Sequence, residues 1–455
     1  MKRSTYVQLP ILVFVVAIVA NKLQAQKLSN WGEYENVKQE AIQRIEQHRK
    51  GDLELEFVLK NGKVVKNTPV QIELKRHDFL WGAVVSSRTF VNPEYSDRYK
   101  EMYLKYFNAA GFEIGLKPKR RGSISEKNAE KAFEWFDKNG FYMRGHTLTW
   151  EGEKWSRPED LKVYNNSKLS DAEKAEKLIK SYSRHFSHAI PKWDVRCWDV
   201  SNEPQDNNSV NDLLPERNTH ADWFKLADSI RKVHNKEDVL LFQNQYQIIS
   251  GTTKDALTKT MEGYESVGRK ALYAEIMDKQ MAAGAKIEGI GFQSRLRPTW
   301  PDITPDSIYS RLCYFERFNL PYHATEFELK NTGGKKYTDE QRRLLTEYMM
   351  VMYFSHPNVE GFWHWTFADY PGRERDYPLF NYDGTPKING KIWIDLIEGF
   401  FNTSLVGESD ESGKLNITGY YGTYEVLAKV NGKKRRGTFE IKQDASNQTL
   451  KVKLN

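Results

Sequence analysis

Between residues 79 and 367 the chain repeats one local pattern eight times: a short apolar run, then a stretch with helical periodicity. The runs cover residues 79–85, 112–116, 142–150, 195–202, 239–246, 287–293, 322–327 and 359–367. Helical patterns fill most of the gaps, at 128–139, 171–186, 221–234, 273–283, 307–318 and 339–354. A strand buried on both faces reads as a near-continuous apolar run, and joining parallel strands takes a crossover, usually a helix. Eight such units predict an α/β fold of the (β/α)8 TIM-barrel type. An open doubly wound sheet would usually place a glycine-rich phosphate turn after its first strand, and none is present.

The flanks follow a different grammar. Residues 33–50 carry helical periodicity and end at Gly51, after which 52–59 and 69–74 alternate apolar with polar around the turn Asn61-Gly62, a hairpin signal. The tail from 402 returns to alternation at 414–421, 423–430, 437–442 and 449–454. Neither flank is long enough for a core of its own, so the two are expected to form a small β-sandwich satellite. Tyr420, Tyr421 and Tyr424 in the tail are candidates either for a stacking surface or for that core.

The N-terminus reads Met1-Lys2-Arg3, then an apolar stretch from Leu9 to Ala20 and a small residue at Ala25. That describes an export signal rather than a membrane span, which needs about 20 apolar residues. The expected organisation is therefore 1–25 signal peptide, 26–75 N-terminal helix and β-hairpin, 76–401 catalytic barrel and 402–455 β-rich segment. The expected location is secreted or periplasmic, with no membrane association once the signal is cleaved. Loss of Lys2, Arg3 and Lys22 lowers the net charge from +7 to +4, too mild to argue for nucleic acid. Two cysteines, Cys197 and Cys313, cannot build a disulfide framework. No metal cluster with plausible ligand spacing and no nucleotide loop is visible, so neither metal nor cofactor is expected, and the chain is expected to act as a monomer.

In a TIM barrel the active site lies at the C-terminal ends of the strands. Those ends carry Lys117, His146, Trp150, Asn202, Glu203, Asn244, Tyr246, Gln293, Arg295, Glu326, Glu328, Trp363 and Trp365. Glu203 closes the fourth run and Glu326 the seventh, which lets two carboxyl groups flank one bond across the mouth. Glycoside hydrolysis needs such a pair, one acid to protonate the leaving oxygen and one carboxylate to attack or activate water. The aromatic surplus, 24 Tyr, 23 Phe and 12 Trp, suits a polysaccharide partner whose rings offer flat apolar faces.

The segments Arg144-Gly-His-Thr-Leu-Thr-Trp150, Trp198-Asp-Val-Ser-Asn-Glu203, Gly289-Ile-Gly-Phe-Gln293, Ala324-Thr-Glu326, Leu379-Phe380 and Asp383-Gly-Thr-Pro-Lys387 together resemble glycoside hydrolase family 10, best known for endo-β-1,4-xylanases. The resemblance spans roughly 79–400, with the motifs in family order. It implies that Glu203 is the acid/base and Glu326 the nucleophile of a retaining mechanism. It further implies that Asn202 bonds the sugar 2-hydroxyl, that Lys117, His146 and Trp150 line the glycone subsite, that Trp363 is a platform beneath that sugar, and that Gln293 lies near the nucleophile. Tyr246 and Arg295 complete the expected substrate-binding set.

Several positions depart from the family pattern. Arg295 stands where a histidine is usual, Glu328 where an aspartate is usual, Glu113-Ile114 replaces Glu-Asn, and Glu151 replaces a frequent histidine after Trp150. Basic residues also gather on three mouth loops: Lys117, Lys119, Arg120 and Arg121; Arg295 and Arg297; Arg373 and Arg375. Arg295 is expected either to fork onto Glu326 and depress its pKa or to reach an anionic substrate group. Xylan is the default substrate. The alternatives are an anionic polysaccharide carrying uronic acid or sulfate, and a non-catalytic glycan-binding barrel.

Overall fold

The computed structural model describes residues 28–152, 156–250, 258–260, 263–265, 268–443 and 449–455. The expected signal segment, 1–25, lies outside them. The strands before the barrel are β1 (Lys50–Leu59) and β2 (Pro69–His77). Those of the central region are β3 (Leu80–Val85), β4 (Ala109–Phe112), β5 (Tyr142–Thr149), β6 (Cys197–Asn202), β7 (Leu240–Gln245), the short pair β8 (Thr258–Thr260) and β9 (Gly263–Glu265), β10 (Gly289–Phe292), β11 (Arg295–Leu296), β12 (Tyr322–Leu329) and β13 (Val359–Trp365). The tail adds β14 (Ser404–Glu408), β15 (Lys414–Tyr420), β16 (Gly422–Val430), β17 (Lys433–Ile441) and β18 (Thr449–Leu454).

Eight strands run parallel in the ring β3-β4-β5-β6-β7-β10-β12-β13, closed by β13 on β3, with β11 extending the top of β12. This is the (β/α)8 barrel that the eightfold repeat predicts. Its interior fills by pairing large rings with glycines. A Cβ on Gly82 would sit 2.4 Å from the Trp363 ring, one on Gly145 2.3 Å from Trp198, and one on Gly289 2.2 Å from Phe242. Helices cover the outside, their starts fixed by caps: Ser170 with Glu173 and Thr338 with Gln341 form capping boxes.

The second strand lies at Ala109–Phe112, three residues before the expected run. Ala109, Ala110 and Gly111 are too small to announce themselves as an apolar run. Phe112 to Leu116 instead leads into the mouth loop, where a Cβ on Gly115 would meet Ala129 at 2.5 Å.

The flanks do make a two-sheet satellite, but the expected β1–β2 hairpin does not form. β1 pairs with β15 and β18, while β2 pairs with β14 and β16, and β17 completes the second sheet. The Asn61-Gly62 turn folds back only locally, with Leu59 donating to Lys63 O at 2.9 Å and Val65 to Phe57 O at 2.8 Å. Each of the two strands has one apolar face, and placing them in opposite sheets lets Leu53, Leu55 and Phe57 share a core with Val70 and Ile72. The N-terminal helix Glu35–Arg49 packs with the barrel, where Ala41 and Ile45 belong to its core. Tyr420 and Tyr424 are buried; Tyr424 Oη donates to Tyr420 O at 2.6 Å and Tyr420 Oη to Phe400 O at 2.8 Å. These two are satellite and junction packing, not a stacking surface.

Candidate active site

Irregularities in the strands aim the site residues at the mouth. The β5–β6 ladder shifts register between His146 and Thr149, β6–β7 between Asp199 and Ser201, and β12–β13 between Ala324 and Phe327. Such shifts re-aim the side chains beside them. Glu203 itself has φ 58° where the chain leaves β6, while its N–H still donates to Asn244 O at 2.8 Å.

The cleft above the strands, about 430 Å³, is lined by Glu113, Lys117, His146, Trp150, Glu203, Tyr246, Gln293, Arg295, Glu326 and Trp365 among others. The structure thus brings together nine of the ten expected site residues, counting Asn202, which is buried beside Glu203. Asn202 Oδ1 accepts from Asn244 Nδ2 at 2.8 Å, while Asn202 Nδ2 is buried with no acceptor among the described residues. A buried donor without a partner costs about 1–3 kcal/mol, so this one suits a ligand oxygen.

The exception is Trp363. It is 0% exposed and packs inside the barrel against Gly82, Gly361 and His323. The ring that faces the cleft is Trp365, two residues on and one interior layer higher. Both point inward, because residues two apart share a strand face; only their depth differs.

The two carboxyl groups have opposite environments. Glu203 accepts from Trp150 Nε1 at 2.9 Å, Gln293 Nε2 at 2.7 Å and Asn207 Nδ2 at 3.0 Å. Burial nevertheless raises its pKa, and the Glu326 charge pushes the same way against the help of Gln293. For Glu326 burial also acts upward, but the Arg295 guanidinium, with Arg144 and Lys117, brings its pKa below the ordinary value. Arg295 Nη2 donates to Glu326 and Asn244 Nδ2 adds a bond at 3.0 Å. The proton is thus favoured on Glu203 over Glu326, the division of labour that acid and nucleophile require.

Other contacts complete the rim. His146 Nδ1 lies 2.7 Å from Asp199, which also takes Arg144, and burial drives the His146 pKa well down. With Nδ1–H held by the carboxylate, Nε2 is the acceptor. Lys117 Nζ lies 4.6 Å from the Trp150 ring and 5.6 Å from Trp365, and burial lowers its pKa to about 8. Gln293, expected near the nucleophile, lines the same cleft as Glu326 and gives its own hydrogen bond to Glu203. Asn244, Asn207 and Trp365 are the residues to which the sequence assigned no role; Asn244 and Trp365 were visible only as unusual strand-end residues.

Part of the basic mouth is neutralised from within. Arg295 and Arg297 both donate to Glu328, and Arg375 Nε donates to Asp369 at 3.2 Å. Glu151 is not one of the counter-ions, since it accepts from Trp223 Nε1 at 2.6 Å and Val210 N at 2.9 Å.

A second cleft, about 330 Å³, lies at the other end of the barrel beside the satellite. Its guanidinium, Arg49, is engaged by the carbonyls of Phe354, His356 and Val359. Among the described residues, Cys313, Glu316 and His356 bring three potential metal-ligand atoms within 4.8 Å of one another. Asn358 N donates to His356 Nδ1 at 3.3 Å, so Nε2 carries the proton and faces Glu316 at 3.1 Å. That is an internal pair rather than a cation cage.

A parallel eight-stranded barrel with two carboxyl groups of opposite poise at its C-terminal mouth defines the class of barrel glycoside hydrolases. Comparison with known proteins makes the class specific. The family model for glycosyl hydrolase family 10 matches residues 72–388, and the chain belongs to that family. Among curated relatives it is 25% identical over 400 residues to anti-sigma-I factor RsgI6 of Acetivibrio thermocellus, covering 87% of this chain and 47% of that protein. It is 25% identical over 385 residues to endo-1,4-beta-xylanase 2 of Arabidopsis thaliana, covering 83% of this chain and 32% of that protein. The chain therefore spans less than half the length of these two relatives. Among solved structures, xylanase 10B from Thermotoga petrophila RKU-1 in complex with xylobiose superposes with a TM-score of 0.56 at 19% identity, over 70% of this chain and 94% of that one.

Proposed function

We propose that this chain is an exported, retaining endo-glycosidase that hydrolyses β-1,4-xylan. Glu203 protonates the leaving oxygen while Glu326 attacks the anomeric carbon; water, deprotonated by Glu203, then releases the glycosyl-enzyme ester. The observation that carries this reading is the opposite poise of the two buried carboxyl groups, Glu203 raised and Glu326 lowered. Membership of family 10 and the likeness to proteins named as endo-1,4-beta-xylanases support xylan as the substrate. Asn202 is assigned to the sugar 2-hydroxyl and Trp365 to the platform beneath the ring. A binding-only barrel has no need of this pair. An anionic substrate is disfavoured because Arg295 and Arg297 are already engaged by Glu326 and Glu328.

The test is reducing-end release from neutral xylan and from uronic-acid-bearing and sulfated polysaccharides, with proton NMR of the first product formed. Release from neutral xylan with initial β-anomer is expected. Glu326→Ala should abolish it, and Glu203→Ala should lower kcat/KM on xylan by about 10²–10⁴. First appearance of the α-anomer, or undiminished hydrolysis by Glu326→Ala, would refute the assignment.

A further inference from the structure

Arg295 bonds one of the two carboxyl groups directly and reaches the other through Gln293. Its Nη2 donates to Glu326, its Nη1 to Glu328 at 2.6 Å, and its Nε to Gln293 Oε1 at 3.3 Å. Because Gln293 spends its carbonyl oxygen on Arg295, its amide NH2 must face the other way, and Nε2 donates to Glu203 at 2.7 Å. The guanidinium lies 4.7 Å from the Trp365 ring, and its side chain is 20% exposed. Register fixes the fork as well, since Arg295 stands opposite Glu328 in the β11–β12 ladder.

We propose that Arg295 couples the two half-reactions: it holds Glu326 ionised for attack and then, once that charge is consumed, keeps Glu203 ionised for the second step. In the first step the Glu326 carboxylate forms the bond to the anomeric carbon, the glycosidic C–O bond breaks, and the Glu203 proton goes to the leaving oxygen. Glu326 is then a neutral ester. Arg295 has lost one of its two carboxylate partners, and Glu328 must serve both Arg295 and Arg297. The excess positive charge faces Glu203 through the Gln293 amide and opposes its reprotonation from solvent. In the second step Glu203 takes a proton from water, the hydroxide oxygen bonds to the anomeric carbon, the ester bond breaks, and Glu326 returns to Arg295 as a carboxylate. A histidine at this place would carry a charge that comes and goes with pH; arginine's does not.

The other charged groups around the pair, Arg297 apart, sit on elements other than that of Arg295: Lys117 and Glu113 follow β4, Arg144 and His146 are on β5 and Glu328 is on β12, while Arg297 follows β11. Arg295 is thus a positioning residue that acts through the two carboxyl groups, and this role rests on the glycosidase reading above.

The test needs no substrate. Carbon-13 NMR of labelled glutamate carboxyls gives the titration of Glu203 in the wild type, in E326Q, whose neutral amide mimics the ester's loss of charge, and in E326Q combined with R295Q. A downward shift of about one pH unit or more is expected from wild type to E326Q. It should be reversed in the double variant. R295M, whose apolar stem can still pack on Trp365, replaces R295Q if that variant does not fold. Identical Glu203 titration in E326Q and in both double variants would overturn the coupling. A parallel kinetic measurement uses 2,4-dinitrophenyl β-xylobioside, where the good leaving group makes ester hydrolysis limit kcat. There R295Q should move the acid limb of kcat upward, whereas a merely structural role would lower the rate equally at every pH. If the wild type cleaves no β-glycoside while the NMR coupling holds, the glycosidase reading fails and the electrostatic link stands.

Discussion

Burial alone would make both carboxyl groups at the mouth weaker acids, so their difference must come from neighbours. Glu326 sits against a guanidinium that cannot deprotonate, while Glu203 is held by uncharged donors, an indole, an amide from Gln293 and one from Asn207. The pH profile of hydrolysis should therefore be bell-shaped, its acid limb below the ordinary glutamate range and its alkaline limb above it. Residues of the same type two positions apart separate in the same way. Trp365→Ala should reduce kcat/KM on xylo-oligosaccharides by about 10-fold, the scale of one lost stacking contact. Trp363→Ala should instead cost about 3–5 kcal/mol of stability in urea unfolding, because it empties an interior layer built against Gly82 and Gly361. The carboxylate pair was legible because charged residues ending apolar runs are conspicuous. The depth of a tryptophan was not, since strand alternation reports which face a side chain takes and not how far along the barrel axis that face is closed.

Elements are joined by a few contacts whose strength depends on protonation. Glu126, in the helix Ile124–Lys138, takes His188 Nε2 at 2.6 Å and Lys192 Nζ at 2.8 Å from the helix Asp171–Lys192, and Gly122 N at 2.5 Å. Burial opposes its ionisation, but these bonds prevail and set its pKa at about 2, against 4.5 unperturbed. A carboxyl depressed in the folded state contributes stability above its unfolded pKa and loses it as pH falls through the folded one. Glu126→Gln should cost about 2 kcal/mol at pH 7, after allowance for the partly exposed partners. That difference should shrink between pH 4.5 and 2, as read by urea melts at several pH values. Helix and strand alternation was readable because apolar periodicity and caps are local. The second barrel strand and the β1–β2 pairing were not, because small residues leave no apolar run and a turn signal specifies a fold-back without specifying which sheet the next strand joins.

At the scale of the whole molecule the question is whether the satellite is an appendage or part of the barrel's stability. Its tail supplies five of the seven strands, and among the described residues every strand that pairs with β1 or β2 comes from that tail. Tyr420 ties the two bodies together, its hydroxyl on Phe400 O and its ring 5.6 Å from Phe354 and 5.3 Å from His77. Trp81 and Phe401, whose rings are 4.6 Å apart, belong to the same buried cluster as Tyr420 beneath the barrel. Removing residues 402–455 would leave the apolar faces of Leu53, Leu55, Phe57, Val70 and Ile72 uncovered and two strands with unpaired edges. The truncated chain should bind a hydrophobic dye, associate at micromolar concentration and unfold about 5 °C or more below the intact chain. The cleft that holds Glu203 and Glu326 lies at the opposite end of the strands, and among the described residues none of the tail lines it. Activity per folded molecule on short xylo-oligosaccharides should therefore be unchanged well below the new midpoint. Equal melting of the two forms would show that the barrel closes without its satellite, whereas loss of specific activity at low temperature would show that the tail reaches the mouth.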